Sequence, residues 1–318
     1  MRSKPICPIC SGRTRCRFDK FDIPFHQCRK CHYGFFYPLP DKEEILARYS
    51  DTYFQTEYLA SYGIQKDSYN PDLIRKYDYI ENLLHRAELL KPGFKGRVLD
   101  IGCGGGFLLK NFKEKGWEVM GIDIIDSSIE YSRTVLGVDA EKVNIEAVVI
   151  DDFIARFGTF DLVIMIDALE HLFDPGDVLT RINKILAPGG SLFFSVPNID
   201  SISFRVIGKE WAILSPFEHI SYFSRQSLNI LLERCGYSSI RQCVFQFVNI
   251  FNVHRKDHRR YRLAEKILPR LTRYRKMAYE SRESYDDVLK LAQYQIFDPG
   301  WIQGDILIGM AAKPVSKE

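Results

Sequence analysis

The chain has 318 residues, 46% hydrophobic and 27% charged, the balance of an ordinary globular protein with room for one large domain and an accessory module. A net charge of +3 excludes a strong overall attraction to nucleic acid or to a membrane surface. No apolar run approaches the ~18 residues of a membrane span, and the first seven residues have no apolar core after their charges; a cytoplasmic location is therefore expected.

In chain order, the first signal is a pair of knuckles. Cys7-Pro-Ile-Cys10 and Cys28-Arg-Lys-Cys31 are two C-x-x-C pairs separated by 17 residues. That spacing suits a structural zinc site, in which four thiolates close a tetrahedron around the ion. Disulfides are the competing reading, disfavoured in a cytosolic chain. Cys16, His26 and His32 stand near enough to substitute as ligands, although four well-spaced cysteines need none. Residues 1–40 read as a zinc ribbon with Phe21, Phe25, Tyr33, Phe35, Phe36 and Tyr37 as its aromatic core, closed by Pro38-Leu-Pro40. Residues 41–95 read as a helical linker or cap with faces rich in tyrosine (Tyr49, Tyr53, Tyr58, Tyr62, Tyr69, Tyr77, Tyr79). Asn70-Pro71-Asp72 opens a helix there that runs to Leu90.

Over 96–318 strands and helices alternate, which predicts a doubly wound α/β sheet of seven strands. The strands are expected at 97–101, 118–122, 145–150, 160–166, 192–196, 239–247 and 305–312. Ser127 is expected to cap a helix through Leu136, Asp174 to begin one through Leu186, and Ser224–Cys235 to form another with Gly236 at its end. Cys103, Cys235 and Cys243 read as small core hydrophobes. Residues 254–300 form a basic helical insertion: from Arg255 to Lys276 there are ten Lys or Arg against two acidic residues, with Leu263, Ile267 and Leu271 recurring every fourth position. Pro269 kinks or splits that helix. It reads as a lid or packing element with a solvated basic face. The sharper alternative is an anionic contact through 255–276 with a phosphate-bearing substrate, a lipid surface or RNA.

The most informative stretch is Val98-Leu-Asp-Ile-Gly102-Cys-Gly-Gly-Gly106-Phe107, a buried strand, a glycine turn and the start of a helix. Glycines at 102, 104 and 106 let a ligand approach bare backbone. A dinucleotide fingerprint would carry its third glycine where Phe107 stands. Asp100, two residues before the first glycine, would repel a pyrophosphate but suits a cationic ligand bearing an amino group.

D-x-G-x-G-x-G after a strand resembles the first motif of class I S-adenosylmethionine-dependent methyltransferases. Within them the chain is similar to a bacterial group with an N-terminal zinc ribbon. Cys28-x-x-Cys31-His-Tyr-Gly-Phe-Phe-Tyr-Pro-Leu-Pro, Phe160-Asp-Leu-Val, Leu169-Glu-His171, Leu186-Ala-Pro-Gly-Gly and Glu218-His-Ile-Ser-Tyr-Phe223 carry that resemblance. The group's knuckles usually place Gly after the second Cys; Ser11 and His32 stand there instead, which is expected to change the turn geometry. The resemblance implies a Rossmann-like methyltransferase fold and S-adenosylmethionine as cofactor. Its methionine end would lie on Gly102, Cys103, Gly104 and Gly106, with Asp100 orienting the ammonium. Asp123, ending the second strand, would accept the ribose hydroxyls, and Ile124 would wall the adenine. Asp151 or Asp152 would take the adenine amino group beside Phe153, and Asp167 would face the cleft mouth.

Methyl transfer to an alcohol or amine gains from a base that removes the proton. His219 and His171 are the residues expected to do so, with Glu218 orienting His219. The acceptor implied by the resemblance is a small molecule such as a sugar, a surface-polysaccharide precursor or a related metabolite, methylated at oxygen or carbon. An RNA methyltransferase gripping nucleic acid through ribbon and basic helix is one alternative. A protein that binds the cofactor without catalysis is the other.

Overall fold

The computed structural model describes residues 5–64, 68–75, 77–201, 204–205, 208–211, 213–245 and 306–315. The basic stretch 255–276, and the insertion 254–300 around it, lie outside the described residues.

Three short antiparallel strands, β1 (Thr14–Lys20), β2 (Ile23–Cys28) and β3 (Gly34–Phe36), follow the first knuckle. A fourth strand completes their sheet from far along the chain: β9 (Ser221–Tyr222) pairs with β3 through Gly34↔Tyr222 and Phe35↔Ser221. Side chains alternate across this sheet. One face packs Phe25, Phe36 and Tyr222 with Ile199, Phe204 and Trp211, the Phe25 ring lying 5.0 Å from Phe36 and 5.3 Å from Tyr222. Tyr33 and Phe35 point the other way, into the core of the large sheet. Two aromatics expected in the ribbon core are instead on the surface, Phe21 being 59% and Tyr37 48% exposed. Phe21 occupies the β1–β2 turn at φ +54°, beyond reach of the packed face. Ser11 and His32 adopt φ of +54° and +62°, so the knuckles keep the left-handed turn that glycine would supply more easily.

Residues 41–95 give α1 (Lys42–Ala47), then α2 (Asp51–Tyr53), which continues through a π-helical turn (Phe54–Tyr58) into α3 (Leu59–Ser61). The single helix expected from Pro71 to Leu90 is two, α4 (Pro71–Arg75) and α5 (Tyr79–Arg86), separated around Tyr77-Asp78. Phe54, Leu59, Ile80, Leu83 and Leu84 share one core with Val98, Phe107 and Leu162.

The large sheet runs in the order β10-β11-β8-β7-β4-β5-β6. Its strands are β4 (Arg97–Ile101), β5 (Glu118–Asp123), β6 (Ala140–Lys142), β7 (Phe160–Ile166), β8 (Leu186–Pro197), β10 (Ser238–Phe245) and β11 (Ile306–Ala312). β11 runs antiparallel between β8 and β10, and the pairings from β8 through β7, β4 and β5 to β6 are parallel. Helices α6 (Phe107–Glu114) and α7 (Asp126–Thr134) cover one face together with α5. Helices α8 (Ile150–Phe157), α9 (Pro175–Ile185) and α10 (Arg225–Arg234) cover the other. Val98 and Leu162 face the first layer, Leu99 and Val163 the second, so both faces are buried as a parallel sheet requires.

Two further sequence expectations fail. The strand expected at 145–150 is the three-residue β6 at 140–142; Ile150, Phe153, Ile154 and Phe157 follow a helical i, i+3, i+4, i+7 spacing, and α8 forms there. Ser127 does not cap α7, whose N-cap is Ile125. The Ser127 N–H donates instead to Asp51 Oδ1 of α2 at 2.9 Å, an acid from another element doing the capping.

Gly34 sits at a tight contact between ribbon and sheet domain: a Cβ there would fall 2.3 Å from Ile199 Cδ1 and 2.5 Å from Phe25 Cζ. Gly34→Ala should therefore lower unfolding free energy by about 1–3 kcal/mol in chemical denaturation through overpacking. An unchanged denaturation midpoint would show that the two modules do not press together at this residue.

Candidate active site

The glycine turn lies between β4 and α6 at the carboxyl end of the parallel strands, where open α/β sheets bind ligands. Gly102, Gly104 and Gly106 have φ of +76°, +50° and +79°, a conformation in which any side chain is strained. Gly102 N and Cys103 N donate to Ile122 O at 2.8 and 3.1 Å, anchoring the turn on β5. The Cys103 side chain is buried beneath Gly121, where an added Cβ would meet its Sγ at 2.8 Å. Cys103 therefore offers the cleft only backbone.

Asp123 ends β5 and binds two backbone amides, Gly104 N to Oδ2 at 2.9 Å and Ile125 N to Oδ1 at 3.0 Å. Burial raises its pKa while these amides pull it back. Asp100 is 3% exposed, and burial reinforced by the Asp123 charge pushes its pKa up to about 8. Ile124 sits half-buried beside this acid pair. Asp167, after β7, adopts φ +49° and is fixed by Ser195, whose hydroxyl donates to Asp167 Oδ1 at 2.8 Å. The following Ala168 abuts the glycine turn, its Cβ 3.1 Å from where a Gly102 Cβ would stand.

Asp151 and Asp152 are not at a strand end. They lie exposed in the first turn of α8, where acidic residues complement the helix dipole. Phe153 is 2% exposed, 4.8 Å from the Phe157 ring, and belongs to the core. The chain leaving β6 beside Asp123 is Val143-Asn144, with Val143 N donating to Asp123 O at 2.9 Å. Sequence reasoning missed this position because the strand is short and ends on Lys142. It also missed the role of Tyr58 in the π-helical turn. A Cβ on Gly104 would fall 2.4 Å from the Tyr58 hydroxyl, which accepts from Gly105 N at 3.3 Å. The unusual density of tyrosine over 41–95 was the available signal.

A second cluster joins the turn after β7 to the segment before β9. The His171 and His219 rings are 4.7 Å apart. His171 Nδ1 is 2.7 Å from Glu218 O and 2.7 Å from the Tyr49 hydroxyl, and His219 Nδ1 is 2.7 Å from Ile213 O. A carbonyl can only accept, so His219 Nδ1 carries its proton and His219 Nε2 keeps its lone pair, whereas the His171 ring meets the backbone of both Glu218 and Asp167. Burial and the neighbouring His219 push the His171 pKa down to about 3, and burial also lowers that of His219, so both rings are neutral. Glu218 does not reach His219. Its carboxylate pairs with Arg48, and its carbonyl orients His171 instead. Glu170, 1% exposed, keeps Oε2 without a hydrogen-bond partner among the described residues, and burial raises its pKa strongly. Glu170, His171 and His219 place one ligand atom each within 4.8 Å of one another, a set that could also hold a cation.

The four knuckle thiols converge. Cys7 Sγ is 3.6 Å from Cys31 Sγ, and Cys10 Sγ is 3.5 and 3.3 Å from those of Cys28 and Cys31. Sulfur atoms at these separations and free of disulfides fit tetrahedral thiolate coordination. Lys30 N and Cys31 N donate to Cys28 Sγ at 3.3 and 3.4 Å, which fixes the position of that sulfur in the cluster. Cys16 and His32 are exposed and His26 is buried, and none of the three belongs to the cluster.

The sheet order, the glycine turn and the paired acids define the class I S-adenosylmethionine-dependent methyltransferases. A model of the methyltransferase domain matches residues 72–242, more than half of the chain, and the chain belongs to that family. The ubiquinone biosynthesis O-methyltransferase of Aromatoleum aromaticum is 35% identical over 120 residues, covering 37% of this chain and 51% of that protein. Its counterpart in Burkholderia cenocepacia is 37% identical over 118 residues, covering 36% and 51%. The chain thus spans about half the length of the curated relatives it matches. A solved S-adenosylmethionine-dependent methyltransferase of Thermotoga maritima, described as a possible histamine N-methyltransferase, is similar at TM-score 0.48 and 17% identity, covering 82% of this chain and 99% of that one. Among the described residues no helix is long and apolar enough to cross a membrane.

The raised pKa of Asp100 has a direct consequence for stability. The folded chain holds a proton that an unfolded aspartate, with its ordinary value of 3.8, has released. Stability should therefore fall progressively as pH rises from about 4 through about 8. Asp100→Asn, which carries no charge to bury, should gain on the wild type across that window by on the order of a few kcal/mol in chemical denaturation. Parallel stability curves for the two proteins would contradict a buried, charge-opposed Asp100.

Proposed function

We propose that the chain transfers a methyl group from S-adenosylmethionine to a hydroxyl of a small-molecule acceptor, with a neutral histidine of the His171–His219 pair as base. The observation that carries this reading is the tautomer of His219, which donates Nδ1–H to the Ile213 carbonyl and keeps Nε2 for a proton. The O-methyltransferase names of the relatives support the same reaction type. When bound, S-adenosylmethionine supplies an electrophilic methyl group that needs alignment more than activation. The turn at Gly102–Gly106 holds the methionine end against bare backbone, and Asp100 orients its ammonium. Asp123 accepts the ribose hydroxyls, and Ile124 with Val143-Asn144 flanks the adenine in place of Asp151 and Asp152. Asp167 faces the mouth of the cleft. His219 Nε2 takes the acceptor's proton, while Tyr49 and the Glu218 carbonyl keep the neighbouring His171 oriented. Sugar-derived and aromatic hydroxyls both belong to this acceptor class.

Radiolabelled methyl transfer should be measured against hydroxylated aromatics, nucleotide sugars and total RNA, with activity expected on a small hydroxylated molecule. Transfer to RNA alone would overturn the reading. On the accepting substrate, His219→Asn or His171→Asn should lower kcat by at least ~100-fold, with S-adenosylhomocysteine affinity unchanged. The lowered histidine pKa values keep the base unprotonated below its ordinary 6.5, so kcat should not fall until the pH drops below that value. Full activity in both variants would remove the base assignment.

Zinc on Cys7, Cys10, Cys28 and Cys31 has a structural role in this reading. The ribbon grips the segment that carries His219: β3 pairs with β9, the Tyr33 hydroxyl lies 2.6 Å from Ser221 Oγ, and Ser224 Oγ donates to Cys31 O at 2.6 Å. Chelation, or Cys7→Ser, should therefore abolish methyl transfer while S-adenosylhomocysteine still binds within about twofold of the native affinity. Equal loss of both would place the ion's influence at the cofactor instead.

A further inference from the structure

A cavity of about 290 Å³ opens where the ribbon meets the turn after β8, and it shares no residue with the glycine turn or the histidine pair. Its lining is unusually basic. Arg15, Arg17 and Arg29 enter from the ribbon, and Arg205 from the sheet domain. Asp200 is the one carboxylate among the lining residues, and it is already engaged by His32 Nδ1 at 3.1 Å and the Arg205 guanidinium at 3.8 Å. Arg17 Nη1 donates to the neutral Gln27 Oε1 at 3.0 Å, and among the described residues no ion pair is made by Arg15, Arg17 or Arg29. Desolvation and the neighbouring Arg15 disfavour the Arg17 charge, which marks a cationic cluster lacking its counter-charge. The floor is apolar, formed by Ile199 and the buried Phe204 ring.

We infer that this cavity binds a phosphorylated small molecule, its phosphate or diphosphate held by Arg15, Arg17, Arg29 and Arg205 and its organic part resting on Ile199 and Phe204. Guanidinium forks match phosphate oxygens in bidentate pairs, and several converging forks suit a multiply charged anion. A single compact, half-open cavity favours a small molecule over an RNA strand, which needs a basic track with successive stacking platforms. The site draws on both modules, so a ligand there would also clamp ribbon to sheet domain. This inference is independent of the methyl-acceptor assignment.

Titration calorimetry on the full, zinc-loaded chain at constant ionic strength tests it, with inorganic pyrophosphate as the probe. Saturable one-to-one binding is expected. Arg15→Gln combined with Arg29→Gln should weaken it at least tenfold, and Arg205→Gln should weaken it separately. Zinc content and S-adenosylhomocysteine affinity should be unchanged in both variants, which excludes misfolding. Parallel titrations with uridine diphosphate and a hexose 1-phosphate identify the source, and tighter binding of either supports the site. Four outcomes would overturn it: no saturable binding, equal binding by the variants, equal displacement by sulfate, or binding of an RNA oligonucleotide without binding of pyrophosphate.

Discussion

Asp123 accepts hydrogen bonds from Gly104 N and Ile125 N, and so ties the glycine turn to the end of β5 through one buried carboxylate. The same charge faces Asp100, which burial and this neighbour hold protonated near neutrality. Two acids and three left-handed glycines in one small volume are a poor arrangement for stability alone. They are a good one for a ligand that brings an ammonium, two hydroxyls and no phosphate. The turn could not move without breaking the amide bonds to Asp123, and the helix after it starts from that fixed point. Tyr58 closes over the same turn, so the helical segment before the sheet contributes to its outer wall.

The histidine pair is held chiefly through backbone carbonyls. Glu218 O and Ile213 O lie against His171 Nδ1 and His219 Nδ1, and both carbonyls belong to the segment just before β9. That segment is held by the ribbon through a strand pairing and three long-range hydrogen bonds: Tyr33 to Ser221, Ser224 to Cys31 O, and Arg234 to Ile9 O at 2.9 Å. The ribbon is therefore part of the frame around the histidines and not an appendage on a linker. A module of some 40 residues is too small to hold itself rigid without a staple, which gives the four cysteines their physical purpose.

Much of this was legible in the sequence because the signals were local. The C-x-x-C spacing, the D-x-G-x-G-x-G turn, the strand-end Asp123 and the helix over Ser224–Cys235 are each read from a few neighbouring residues, and they stand where expected. The failures occurred where a short apolar run was ambiguous or a partner came from far away. Residues 145–150 resemble a strand, but the helical spacing continues to Phe157, which moves Asp151 and Asp152 out of the site. Nothing near Ser127 in sequence reveals that Asp51 caps α7, and nothing near Gly34 reveals its pairing with Tyr222. Glu218 looked like an orienting acid for the adjacent His219; its side chain goes to Arg48, and its carbonyl serves the other histidine. Non-local pairings of this kind carry no sequence period.

The most direct test of the cofactor end is equilibrium titration of S-adenosylhomocysteine into the wild-type chain and Asp123→Asn. The account predicts one saturable site in the wild type and a loss of at least ~100-fold in affinity in the variant, as expected when a carboxylate that both shapes the turn and takes ribose hydroxyls becomes an amide. Unchanged affinity in Asp123→Asn, or no binding by the wild type, would contradict it.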